Sequence, residues 1–198
     1  MMPTSKGERT RKKLVDATGE LLRRQGFHAT GLSDIVAESG APRGSLYFYF
    51  PGGKDELARA ALETTGAEWR ARIGAAVAAA RDLDGAIAAI IELLGDDLEA
   101  SSYENGCPVA AVALENPSEP VHKAIVAHYA EWERAISAYL AAAGITARSA
   151  HQLAVVALAS IEGALLLARV QRSRAPLEAV GVALRAMVAA AAPKKRAR

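Results

Sequence analysis

At 198 residues the chain has room for a small head on a larger body. Hydrophobic residues make up 51% and aromatics 5%, with a bias to alanine and leucine that favours helices and argues against a sheet protein. Charge is split: net +4 over residues 1–54, net −6 over 55–193 and +4 again in the last residues, which points to a polyanionic partner at the N-terminus.

Helical periodicity begins after a short polar arm. Leu14, Ala17, Leu21 and Leu22 recur at three- and four-residue steps, and Gln25-Gly26 ends the first helix. Leu32, Ile35, Val36 and Ser39 form a second, shorter pattern that stops at Gly40. Ala41-Pro42 opens a third helix, running from Arg43 to Phe50, and Pro51-Gly52-Gly53 breaks the chain after it. Six further helices are predicted at about 54–80, 83–101, 107–115, 119–143, 147–173 and 176–191. The expected fold is all-α with about nine helices. The expected division is a three-helix head at 1–52, a larger helical body at 53–192, and a basic, disordered tail at 193–198.

Two short amphipathic helices joined by a tight glycine turn and braced by a longer preceding one form a helix-turn-helix. The second must enter a major groove about 12 Å wide, so it must be short, exposed and flanked by phosphate grips. Residues 42–50 suit that task. Arg43 stands at the helix start, where its fork can bond guanine O6 and N7. Gly44 allows close backbone approach, and Ser45 can bond a base or a phosphate. Leu46 and Phe50, four apart, are expected in the three-helix core, leaving the hydroxyls of Tyr47 and Tyr49 for phosphates. Thr30 and Lys54 are expected to clamp the DNA backbone on either side.

Residues 9–57 resemble the N-terminal domain of the tetracycline-repressor (TetR) family, from Ala17 and Gly26-Phe27 through Thr30, Ile35, Gly40 and Leu46-Tyr47 to Phe50, Lys54 and Leu57. The resemblance implies base contacts from Arg43 and Gly44 and phosphate contacts from Tyr47, Tyr49 and Lys54. Three positions depart from the pattern. Gly31 stands where a Thr or Ser cap is usual, Val36 replaces alanine, and Phe50-Pro51-Gly52-Gly53-Lys54 is one residue longer. That loop, with Thr30-Gly31-Leu32, Gly40-Ala41-Pro42 and Gly106-Cys107-Pro108-Val109, is similar to the branch of lincomycin-resistance and flavonoid-responsive repressors.

In the body, Leu153 to Ala168 contains a single charge, Glu162, so this helix is expected to be buried on more than one face. The next helix carries a stripe of Leu177, Val180, Leu184, Met187 and Val188. Two such helices per subunit would make a four-helix dimer interface, as in the family resembled, with Leu158, Leu165, Val180, Leu184 and Met187 expected in it. The resemblance also places a small effector near the short helix after Gly106. The expected pocket residues are Trp69, Cys107, His128, Trp132 and Glu162. Each has a plainer reading: both Trp as core, Cys107 as a packed small residue, and Glu162 as a carboxylate satisfied by a neighbouring helix or the other subunit.

Lone Cys107 excludes an intrachain disulfide and fits a reducing cytoplasm. The polar N-terminus has no apolar h-region, so no secretion signal is expected, and no uncharged apolar stretch approaches the ~20 residues of a membrane span. His28, His122, His128 and His151 lack metal-ligand spacing, so neither a metal nor another cofactor is expected. No hydrolase elbow, zinc-protease motif or complete phosphate loop occurs, which argues against an enzyme. The expected function is sequence-specific regulation of transcription: a homodimer on a palindromic operator, most simply a repressor released by a small lipophilic or aromatic effector. A protein that coats DNA without sequence preference is the competing reading, distinguished by its specificity ratio.

Overall fold

The computed structural model describes residues 6–115 and 117–193. Among these the chain is all-α, with nine helices: α1 Lys6–Gln25, α2 Leu32–Ser39, α3 Arg43–Tyr49, α4 Gly53–Ala79, α5 Leu83–Ala100, α6 Pro108–Ala113, α7 Glu119–Ala142, α8 Ala147–Gln171 and α9 Ala175–Ala191. The fold class, the helix order and the punctuation agree with the sequence reading. The expected disorder of the basic tail falls outside the described residues, except for Pro193.

Local chemistry accounts for the boundaries. Helix α1 begins at Lys6, well ahead of its apolar stripe. Its opening turns are rich in Lys, Arg and Glu, which favour helix, and Lys12 pairs with Asp16 at 2.7 Å one turn later. It stops at Gly26, whose φ of +79° suits glycine. At the start of α2, Gly31 has no side chain to cap with. The reciprocal half of a capping box survives, because the Gly31 amide donates to Asp34 Oδ2 at 3.0 Å. Asp82 caps α5 by accepting from the Gly85 amide at 2.8 Å, and Thr146 Oγ1 caps α8 through the Ser149 amide.

Packing divides the chain into two compact units. The first comprises the described parts of residues 1–69 and 105–128. Within it α1 packs on α2, α3 and α6, and Leu14, Leu22, Ile35, Leu46, Phe50 and Leu57 are almost wholly buried. The expected 1–52 head thus shares a unit with the first half of α4, with α6 and with the start of α7.

The second unit comprises residues 70–104 and the described parts of 129–198. Here α9 packs on both α5 and α8, and Leu140, Ile145, Ala150, Leu153 and Val188 form one core cluster. Close approach of α9 to α5 needs glycine: a Cβ on Gly181 would lie 2.9 Å from the Ile91 side chain. The turn between α8 and α9 is tied to α5 by Arg174, which pairs with Glu92, Asp96 and Glu99 at 3.2, 3.3 and 3.4 Å.

Helix α8 is long and apolar enough, by length and composition, to cross a membrane, although it is not an uncharged run, since it carries Glu162; 22% of its most apolar window is buried within the chain. The residues expected at a dimer interface differ in exposure. Leu184 is only 5% exposed and faces this chain's own core, whereas Leu158, Leu165 and Val180 are half-buried and Met187 is 39% exposed. The more exposed apolar side chains are Leu166, Leu167 and Val170 on α8 and Val182 on α9.

Candidate nucleic-acid interface and apolar cavity

Helix α3 presents two faces. Leu46 and Phe50, each 1% exposed, anchor it in the first unit, and the guanidinium of Arg11 lies over the Phe50 ring at 5.2 Å. Arg43 and Gly44 stand exposed at its first turn, Ser45 and Tyr49 are half-buried, and Tyr47 is exposed. A Cβ on Gly44 would meet nothing within 4 Å, as expected of a position facing outward. Phe48, which the sequence reading passed over, is 75% exposed, with its ring edge-on to Tyr49 at 4.9 Å. So exposed an apolar side chain is open to contact by a partner.

The flanking residues behave differently from each other. Thr30 is 1% exposed and its hydroxyl donates to Gly26 O at 2.6 Å, so this side chain braces the α1–α2 turn and is not available as a phosphate clamp. Lys54, despite the longer loop, reaches that turn: Nζ donates to His28 O at 3.4 Å and lies 4.3 Å above the Phe27 ring. The surface therefore offers Arg43 for a base edge, backbone access at Gly44, and hydroxyls and an ammonium for phosphates.

Within the second unit lies a cavity of about 320 Å³. Helices α4, α5, α7, α8 and α9 all contribute to it, and aliphatic side chains such as Ile73, Ile87, Ile136, Leu153 and Ile161 dominate its wall. Trp132 and Tyr139 are its aromatic members and Arg70 its only charged one. Arg70 is held by Glu131 at 2.9 Å.

Two family models match the chain. Residues 14–61 match the bacterial regulatory proteins of the tetR family, and residues 85–183 match the C-terminal domain of LmrA/YxaF-like transcriptional regulators. An HTH-type transcriptional regulator from Mycobacterium tuberculosis is 37% identical over 93% of this chain and 97% of its own. The HTH-type transcriptional regulator LmrA of Bacillus subtilis is 34% identical over 85% of this chain and 90% of its own. The chain belongs to the TetR family. Its fold is that of a TetR-family regulator from Cytophaga hutchinsonii, with a TM-score of 0.82 at 22% identity over 98% of this chain and all of that one.

As a TetR-family member the protein is a DNA-binding transcriptional regulator, in a family that is not enzymatic. Among the described residues no group of three His, Cys, Asp or Glu is placed to hold a metal. Of the five expected pocket residues, only Trp132 lines the cavity. Trp69 belongs to the first unit, where its ring lies under the Arg23 guanidinium at 5.7 Å. Cys107 caps α6, its sulfur accepting from the Ala110 amide at 3.5 Å. His128 is half-buried in the first unit. Glu162 accepts from the Tyr129 hydroxyl at 3.3 Å, a partner on a neighbouring helix.

Sequence reasoning also missed Arg23. Although it sits among charged residues, it is 8% exposed and makes a reciprocal pair of bonds with Gly106: Nε donates to Gly106 O at 3.2 Å, and the Gly106 amide donates to Arg23 O at 3.3 Å. Its partner lies 83 residues away, so no local pattern could have found it.

Proposed function

We propose that this regulator is a repressor that binds a palindromic operator as a homodimer and is released by a small lipophilic or aromatic effector. The observation that carries the effector half of the reading is the cavity in the second unit. Its volume of about 320 Å³ falls in the range of small-molecule sites, and its wall is almost wholly apolar. Helix α4 supplies Arg70, Ile73, Gly74 and Val77 to that wall and begins beside Lys54. One continuous helix thus carries both a cavity wall and a phosphate grip, and a shift in it changes the spacing of two heads. Coupling of ~1–3 kcal/mol would lower operator affinity about 5–150-fold.

On this reading residues 1–52 read DNA and residues 53–192 bind effector and partner. Arg43 and Gly44 contact bases, with Ser45 bonding a base or phosphate. Tyr47, Tyr49 and Lys54 hold phosphates, and Phe48 adds an apolar contact. The dimer reading draws on the exposed apolar residues of α8 and α9: Leu166, Leu167, Val170 and Val182. A second copy would cover them and would account for a helix as apolar as α8 without a membrane. The stretch carries Glu162, which bonds Tyr129, and basic residues at both ends, as suits a helix covered by protein.

The test is a footprint of the purified protein on DNA around its own coding region, with and without lipophilic and aromatic compounds. Protection of two symmetric half-sites about one helical turn apart, lost on adding a compound, is the expected result. Equal affinity for operator and random duplex would sink it.

A further inference from the structure

The cavity's chemistry goes further than "lipophilic". We propose that the site takes a medium-chain aliphatic monocarboxylate, with the chain in the cavity and the carboxylate on Arg70. This rests on the reading of the cavity as the effector site and names the ligand class for it.

Three observations converge. First, the wall is made chiefly of branched aliphatic side chains, with two aromatics and with Gly74, Ala86, Ala135 and Ala157 leaving the space. Such a wall packs around a flexible chain from all sides, whereas a flat aromatic ligand gains most from facing rings. Second, the volume of about 320 Å³ is about twice that of the ~150 Å³ apolar cavity that admits benzene, so it holds roughly a dozen carbon atoms. Third, Arg70 is the one lining residue charged at neutral pH, and its side chain keeps 34% exposure, which sets it at the open edge.

Glu131 now holds Arg70 at 2.9 Å, and its own side chain is 45% exposed. An ion pair this open to water contributes little, so it yields at small cost. A guanidinium carries five N–H donors in a fork that fits a carboxylate, and a ligand carboxylate fixed there by its buried chain replaces Glu131 without leaving a buried charge unpaired. Glu131 can turn to solvent.

The experiment is calorimetric titration of the full-length protein with straight-chain acids of six to sixteen carbons, the matching primary alcohols, and naphthoic acid as a flat aromatic acid. Affinity should rise about fourfold per methylene and level off near twelve carbons. The acids should bind about tenfold more tightly than the alcohols. Arg70→Gln should erase that difference and leave alcohol binding intact. Gly74→Phe should abolish binding of both, because Gly74 lines the cavity and a Cβ there meets no neighbour within 4 Å, which leaves a ring free to turn into the cavity. Ala135→Phe, at a second exposed lining position, serves as an independent plug, and circular dichroism checks that each variant folds.

Absence of any chain-length dependence, equal binding of acids and alcohols, preference for naphthoic acid, or full binding by folded plug variants would each overturn the assignment. The footprint separates this outcome from failure of the broader reading. An operator released by some other lipophile leaves the repressor intact and removes only the ligand class.

Discussion

His28 and Glu115, 87 residues apart in sequence, hold each other twice. The His28 backbone amide donates to Glu115 Oε2 at 2.6 Å, and the His28 ring, with its hydrogen on Nε2, donates to Glu115 O at 2.8 Å. The residue that closes the turn after α6 therefore pins the turn between α1 and α2. That same turn supplies the carbonyl that receives Lys54, so the start of α4 and the α6 segment share one loop of backbone.

Gly26, at the head of this turn, has φ +79°, and a Cβ there would collide with Glu115 Oε1. Gly26→Ala combines a left-handed strain of ~1–2 kcal/mol with loss of the Glu115 contact, so thermal melting should show destabilisation of at least ~2 kcal/mol. Gly44→Ala is the contrast. It meets no neighbour and should stabilise the fold by up to ~1 kcal/mol while weakening operator binding, because the new methyl stands between helix and duplex. Melting curves and fluorescence anisotropy on the same two variants check both halves.

Arg43→Ala should weaken binding to the operator by ~1–3 kcal/mol and relax specificity at one base pair, with non-specific binding little changed. Lys54→Ala should weaken all duplexes alike and reduce the slope of log K against log salt by about 1. Identical behaviour of the two variants across sequences and salt would refute the division between base reading and phosphate grip.

Phe48 is 75% exposed, so Phe48→Ala removes almost no core contact and should leave the melting temperature unchanged. Its apolar ring can contact a thymine methyl in the major groove. Operator affinity should fall by ~1 kcal/mol or more, and replacing the contacted thymine with uracil should cost the wild type, but not the variant, a similar amount.

Leu166 is 59% exposed within the chain, so Leu166→Glu leaves the chain's own core intact. In a dimer held through α8 it buries a charge. Sedimentation should show monomers, and operator affinity should drop on the order of 100-fold through loss of the second head. A variant that still sediments as a dimer would move the interface elsewhere.

Arg174 ties the α8–α9 turn to three carboxylates of α5, and its side chain is 23% exposed. Gly95 beneath it makes room, since a Cβ there would crowd the guanidinium. Arg174→Ala should lower stability by roughly 1 kcal/mol, with the loss shrinking as salt screens the wild-type pairs. Denaturant melts at low and high ionic strength measure it.

Much of this protein was legible before any coordinates. Helix number, order and breaks followed from the three- and four-residue spacing of Leu14, Leu21 and Leu22, the Gly26 and Gly40 stops, and Pro42, because these are local backbone effects. Leu46 and Phe50 were assignable to the core, and Tyr47 to the surface, from helical phase alone. Exposure on a short helix was harder to read. Phe48 was missed because an apolar residue is ordinarily taken for core, and its outward position depends on how α3 rests on α1.

The cavity lining was least legible. Of the expected pocket residues Trp132 lines the cavity, but Trp69, Cys107 and His128 belong to the other compact unit, and the aliphatic wall that makes the cavity has no chemical signature in sequence. Likewise Leu184 shares the apolar stripe of α9 with Met187, and only packing turns one inward and leaves the other exposed.

The order of residues by itself determined the helices and the place of Arg43 at the exposed start of α3, since hydrogen bonds four residues apart and the phase of a helix are properties of neighbours. Tertiary structure alone decided that Glu115 grips His28, that Arg23 meets Gly106, that Thr30 is spent inside a turn, and that five helices enclose a space. Those outcomes depend on which surfaces pack together, and contact across eighty residues leaves no periodic trace in the chain.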